Sequence, residues 1–179
     1  MSAAGAGTAR LFFALWPEQE VRDALAALAA RAQEACGGRA VTADKHHVTL
    51  FFLGNVDRSR IAALAAAAAE IGGMPFELDI DRMGYWRHNN IVWAGTARCP
   101  PELSALASRL CETLRTLGFE DQDRPYVPHA TLLRNARAAP RGIAVEPIRW
   151  KVRDFVLVES EAAGGGVHYE VIGRWPLVV

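Results

Sequence analysis

Short apolar runs take turns along this chain with longer stretches of helical period. Leu11 to Trp16 is an unbroken apolar run, the pattern of a central strand buried on both faces. Pro17-Glu18 suits a helix first turn, and Val21, Leu25, Leu28 and Ala32 recur at helical spacing until Gly37-Gly38 ends the helix. Val41 to Asp44 reads as an approach to a second strand, His47 to Leu53, closed by Gly54-Asn55. Asp57 or Ser59 is placed to cap a second helix carrying Ile61, Leu64, Ala68 and Ile71, which Gly72-Gly73 stops. Phe76 to Ile80 alternates as a strand that Met83 to Trp86 continues. His88-Asn89-Asn90 then turns into a strand over Ile91 to Ala97. Pro100-Pro101-Glu102 opens a third helix with Leu103, Leu106, Leu110, Leu114 and Leu117 on one face, closed by Gly118. A polar connection, Glu120 to Pro128, leads into a strand over His129 to Arg134. Trp150 to Glu159 and Val167 to Trp175 read as two further strands, and Gly164-Gly165-Gly166 makes them a hairpin.

The two halves echo each other. Strand, Pro-Glu, apolar helix, loop and His-x-Thr-Leu occur in that order twice, with about 30 residues between the Pro-Glu pair and the motif each time. This order predicts a degenerate duplication of α+β class: two lobes related by a pseudo-two-fold, two antiparallel sheets flanking a central cleft, and helices packed outside. Residues 1–9 are small and loose in character and are expected to form a flexible tail, with 10–179 a single bilobal domain.

The repeated tetrapeptide carries the chemistry. It stands as His47-Val48-Thr49-Leu50 and as His129-Ala130-Thr131-Leu132. Side chains two apart on a strand point the same way, so each copy presents an imidazole beside a hydroxyl. An unperturbed histidine titrates near pH ~6.5 and works as acid or base near neutrality. Two of them on opposite sides of a phosphodiester can activate water and protonate the departing oxygen, while the threonine hydroxyls donate to the non-bridging oxygens. One copy alone is a weak signal, because threonine is common in strands. Two copies at equivalent places in a duplication are a strong one. Arg134 offers a forked cation for phosphate, yet strict alternation from His129 puts it on the opposite face. Only a bulge or the strand end would bring it back. Phe12, Phe51, Tyr126 and Trp86 are candidates to stack a nucleobase. Phe51 shares the face of His47 and Thr49 if alternation holds.

Composition narrows the classes. Lys+Arg and Asp+Glu are equal at 20 each, so no global positive field grips long nucleic acid; a small phosphate-bearing ligand needs only a local site. The three cysteines, Cys36, Cys99 and Cys111, are widely spaced, which fits neither a disulfide framework nor a CxxC site and favours a reducing cytoplasm. No apolar stretch reaches the ~18–20 residues of a membrane span. Asp44-Lys45-His46-His47 lacks the further ligands of a metal site, so neither a metal nor another cofactor is expected. Gly164-Gly165-Gly166 precedes a strand and not a helix, which removes the phosphate-loop reading.

These residues resemble a known family. The paired motifs are similar to the signatures of the two-histidine phosphoesterases. Within them the chain resembles the bacterial and archaeal RNA 2′,3′-cyclic phosphodiesterases, also called 2′-5′ RNA ligases. The resemblance extends to Arg10-Leu11-Phe12-Phe13-Ala14-Leu15, Phe51-Phe52-Leu53-Gly54, Val92-Trp93 and the run from Arg124 to Arg134. It implies metal-free hydrolysis of a terminal 2′,3′-cyclic phosphate to a 2′-phosphate, with 2′-5′ joining as the formal reverse. It further implies His47 as proton donor, His129 as proton acceptor, and Thr49, Thr131 and Arg134 as phosphate-binding residues. The expected partners are RNA ends or nucleoside 2′,3′-cyclic phosphates, bound by a monomer with no obligate protein partner. The competing readings are a non-catalytic module that binds RNA ends or cyclic nucleotides, and a phosphodiesterase of a small metabolite. The residues themselves do not orient the histidine pair, since the two motifs are locally almost the same.

Overall fold

A computed structural model describes residues 7–120 and 125–178. In chain order the elements are β1 (Thr8–Leu15), α1 (Gln19–Cys36), β2 (Arg39–Ala40), a 3₁₀ turn (Ala43–Lys45), β3 (Val48–Asp57), a second 3₁₀ turn (Arg58–Arg60) and α2 (Ile61–Ala69). Then follow β4 (Phe76–Ile80), β5 (Arg82–Trp86), β6 (Ile91–Gly95), α3 (Pro101–Thr116), β7 (His129–Arg134), β8 (Ile148–Val152), β9 (Asp154–Ala163) and β10 (Gly166–Pro176). Two four-stranded sheets, ordered β10-β9-β1-β3 and β2-β7-β6-β5, are joined by a two-stranded ribbon, β4-β8. The pairings are antiparallel.

The duplication is visible in the pairing. β1, α1 and β3 of the first half correspond to β6, α3 and β7 of the second, and each half pairs its two strands directly. The halves then exchange parts. β2 from the first half completes the second sheet, while β9 and β10 from the C-terminal segment complete the first. α1 packs on β7 and β2, and α3 packs on β3 and α2. Each helix therefore supports the motif strand of the other half. α3 buries Leu103, Leu106, Leu110 and Leu114, the row that its spacing predicted, and α1 buries Val21, Leu25, Leu28 and Ala32. Truncating one such leucine to alanine costs about 2–5 kcal/mol in a core of this kind. Leucines and phenylalanines from both halves share one apolar cluster on the helix side of the sheets.

Five expectations are adjusted. β1 begins at Thr8, so Thr8 and Ala9 belong to a strand and not to a tail; residues 1–6 lie outside the described residues. The stretch from Phe76 to Trp86 is two strands that serve different sheets, and the stretch from Trp150 to Glu159 divides at Arg153 in the same way. Periodicity carries on unbroken where a chain changes its pairing partner, so neither division shows in the apolar pattern. β3 does not stop at Gly54-Asn55 but runs on to Asp57, with Gly54 at φ +74° beside an irregularity in the pairing. Helix α2 ends at Ala69, before Ile71, which is nevertheless buried. Asp57 caps the second 3₁₀ turn and not α2: its carboxylate accepts from the Ser59 N–H at 2.8 Å, while α2 follows Arg60 without a side-chain cap.

Candidate active site

The two motif strands share one irregularity. On β3, Thr49 faces Ala14 and Phe51 faces Phe13, so Leu50 is an extra residue. On β7, Thr131 faces Trp93 and Leu133 faces Val92, so Leu132 is the extra residue. The leucine of each His-x-Thr-Leu is thus a bulge. A bulge puts two consecutive side chains on the same side and reverses the alternation beyond them. Leu50 and Phe51 both enter the core, as do Leu132 and Leu133. The next residue returns to the face of the threonine. In the first motif that residue is Phe52, 41% exposed, and in the second it is Arg134, also exposed.

This corrects one expectation and meets the condition set for another. Phe51 is a core residue at 5% exposure and does not share the face of His47 and Thr49. Phe52 takes its place, with the Arg10 guanidinium 4.9 Å above its ring. Arg134 stands on the same face as His129 and Thr131, despite its odd-even mismatch with the histidine. Its charge, like that of His129, lowers the pKa of His47. β3 and β7 pack together, and the Tyr126 hydroxyl donates to the Thr49 carbonyl at 3.2 Å, tying the approach to one motif onto the backbone of the other.

Each histidine is clamped in the same manner. The Nδ1 of His47 lies 2.8 Å from the Lys45 carbonyl, and the Nδ1 of His129 lies 2.8 Å from the Val127 carbonyl. A carbonyl only accepts, so each Nδ1 carries the proton and each neutral ring keeps its Nε2 lone pair for chemistry. Aromatic rings enclose both. His47 is stacked on Trp16 at 5.5 Å and 12°, tilted on Phe12 at 4.9 Å, and met edge-on by Tyr169 at 5.3 Å. His129 meets Trp86 edge-on at 4.4 Å, with Trp93 at 6.3 Å. Trp93 lies against the strands only because Gly84 has no side chain: a Cβ there would stand 2.1 Å from the indole. The indole N–H of Trp93 is buried without a partner. Among the described residues the hydroxyls of Thr49 and Thr131 also have no hydrogen-bond partner, and Arg134 has no ion-pair partner.

The electrostatics favour an anion. His47 is pushed down to about 4, chiefly by burial; the Lys45 carbonyl opposes this, and the charges of His129, His46 and Arg134 add to it. Burial also lowers His129, against the pull of the Val127 carbonyl. Every charged group that His47 feels is cationic, so a phosphate between the rings would relieve the repulsion and favour protonation.

The aromatic candidates divide. Phe12 is on the site face but only 3% exposed, so it forms the floor under His47 and offers no open ring to a base. Tyr126 has an exposed ring and a sequestered hydroxyl whose pKa is raised by that burial; the hydroxyl serves as the tie to Thr49. Trp86 packs directly on His129. Trp16, Tyr169, Trp93 and Phe52 were missed. Phe52 was recoverable from the sequence, because it stands at the same offset from His47 as Arg134 does from His129. Arg124 lies outside the described residues.

His46 points to the other side. It is 1% exposed, neither ring nitrogen has a hydrogen-bond partner, and burial lowers its pKa, with the nearby Thr131 backbone pulling the other way. His46, His47 and His129 all titrate lower in the folded than in the unfolded chain. The unfolded chain therefore binds more protons once pH falls below ~6.5, and stability present above that pH is lost on acidification toward about 4. We expect Tm to fall over this window, and His46→Leu to lessen the fall. Scanning calorimetry across pH tests this; equal slopes in both proteins would reject it.

Two interlocked α+β lobes, each presenting a bulged His-x-Thr-Leu strand to one shared space, define a duplicated two-motif fold. The chain belongs to the LigT-like phosphoesterase family. The family described as LigT like Phosphoesterase matches residues 15–93, a stretch that ends before the second motif. Full-length relatives extend the match. The RNA 2′,3′-cyclic phosphodiesterase of Escherichia coli is 35% identical over 94% of this chain and 96% of its own length. That of Thermus thermophilus is 31% identical over 94% of this chain and 90% of its own length. Among solved structures, E. coli LigT complexed with 3′-AMP superposes with a TM-score of 0.86 at 33% identity, over 96% of this chain and 99% of that one. The MHV ns2 PDE domain, at a TM-score of 0.59 and 15% identity, shares the fold.

Proposed function

We propose that this protein hydrolyses the terminal 2′,3′-cyclic phosphate of RNA to a 2′-phosphate through its paired histidines, without a metal ion. The single observation that carries this reading is the matched geometry of the two motifs: one bulge, one Nδ1 clamp and one free hydroxyl in each, aimed at a common space with Arg134. The names of the relatives agree with it, and E. coli LigT has been crystallised with 3′-AMP and with phosphate.

In this reading Nε2 of His129 takes a proton from water as the water oxygen bonds to phosphorus. The P–O3′ bond breaks, and Nε2–H of His47 protonates the departing 3′ oxygen. Thr49 and Thr131 donate to the non-bridging oxygens and Arg134 faces the charge that gathers there. The assignment of His47 as acid follows the family resemblance. Both motifs belong to one chain, so a monomer suffices. No described helix is long and apolar enough to cross a membrane, and the wide spacing of the three cysteines supports a cytoplasmic setting.

The test is incubation of chelator-treated protein with RNA ending in a cyclic phosphate, with product isomers resolved. We expect full turnover in EDTA and a 2′-phosphate product. Loss of activity in chelator, restored by one particular divalent ion, would overturn the metal-free account. A 3′-phosphate product would show that the other P–O bond breaks.

A further inference from the structure

The face that holds His47 does not end there. Along β1 the alternation that brings Phe12 under the imidazole continues through Ala14 to Trp16. Ala14 pairs with Val156 and Val156 with Arg174, so Arg174 stands on this same face, bonded to Asp154 at 2.6 Å. Trp16 belongs to two environments. It stacks on His47, and it also lines a cavity of about 380 Å³ walled by Arg22, Lys151, Arg153 and Arg174. That volume lies within the ~300–1,000 Å³ range of small-ligand sites.

The cavity is locally cationic in a chain whose formal net charge is +0. Its four cations face two carboxylates, Glu18 and Asp154, and Asp154 is already paired with Arg174. Lys151 and Arg153 are exposed and have no ion-pair partner among the described residues. The Nε of Arg22 is buried without a partner. Arg153 is also the residue at which β8 gives way to β9, so the change of sheet delivers its side chain to this cavity.

We propose that this cavity holds the nucleotide on the 5′ side of the cyclic end, making the protein a reader of RNA strands and not only of cyclic mononucleotides. The inference rests on the hydrolytic reading above. A terminal 2′,3′-cyclic phosphate closes one side of its nucleotide, so the chain leaves only through the 5′ phosphodiester. With the cyclic phosphate at His47, that phosphodiester passes Trp16 and meets the cations one aromatic ring away. Trp16 supplies a stacking surface, and Arg153, Lys151 and Arg22 supply donors for the phosphate.

The experiment compares a nucleoside 2′,3′-cyclic phosphate with a trinucleotide ending in the same cyclic nucleotide, on wild type and on Lys151→Gln/Arg153→Gln. Both side chains are exposed, so the fold is preserved. Direct binding of a 5′-labelled RNA ending in a 2′-phosphate is measured in parallel. We expect the wild type to prefer the trinucleotide by about tenfold or more in kcat/KM, with a steeper loss on added salt. The double variant should lose most of that preference through KM while keeping its rate on the mononucleotide, and should bind the labelled RNA about tenfold more weakly. Equal losses on both substrates, or unchanged RNA binding, overturn the subsite. Failure of the wild type to turn over either substrate would instead overturn the hydrolytic reading, and the binding arm would still judge the cavity.

Discussion

His47→Ala and His129→Ala are each expected to lower kcat/KM on a cyclic-phosphate RNA by roughly 10²–10⁴-fold, with the double variant little worse than either single one. Each imidazole serves one half of a single proton relay, so removing the second half from a broken relay costs little more. The strands themselves should survive. Both rings are half-buried, and β3 and β7 are held by backbone pairing and by Leu50, Phe51, Leu132 and Leu133 on the opposite face. The aromatic shelf beneath His47 loses a packing partner, worth about 0.5–1.5 kcal/mol for each ring contact. His47→Asn and His129→Asn keep part of that volume and separate packing from chemistry. Near-wild-type rates in either asparagine variant, with Tm unchanged, would remove that histidine from the mechanism.

The pH profile and the leaving group should together orient the pair. The productive free enzyme has one ring protonated and the other neutral. Burial lowers both, and each proton repels the next, so the two macroscopic pKa values lie below the ordinary histidine value. The bell in kcat/KM should therefore peak on the acid side of pH ~6.5. It falls as pH rises because the pair loses its last proton, and it falls again toward about pH 4 and below, where both rings are protonated. A bound phosphate favours the imidazolium, so the bell in kcat should shift upward relative to that in kcat/KM. A substrate with a far better leaving group needs the acid less. It should restore His47→Ala by tenfold or more and leave His129→Ala inactive. Rescue of His129→Ala alone would exchange the two roles, and a flat profile with chemistry rate-limiting would end the histidine account.

Much of this was legible in order along the chain. The leucine row of α3, the apolar run of β1 and the glycine turn between β9 and β10 are local patterns, and local patterns survive into the fold because side-chain period and turn chemistry act over a few residues. The near-equal spacing from Pro-Glu to motif announced the duplication and, with it, the equivalent places of His47 and His129 in the two halves. That same repeat held one further clue: the equal offsets of Phe52 and Arg134 place both on one face once either is known to be there.

Tertiary structure decided what depends on a partner. A bulge exists only relative to the strand opposite, so nothing within His-x-Thr-Leu reveals that its leucine is the extra residue. Once Leu132 is taken out of register, Arg134 turns to the site; once Leu50 is, Phe51 turns away. The exchange of β2, β9 and β10 between lobes, and the crossing of α1 and α3 onto each other's motif strands, are likewise matters of which apolar face finds which. Hydrophobic burial is non-directional, so the sequence specified that these faces be covered, while the geometry of packing chose the partner. That choice set Trp16 and Tyr169 around His47, Trp86 and Trp93 beside His129, and so lowered the pKa of two otherwise ordinary histidines.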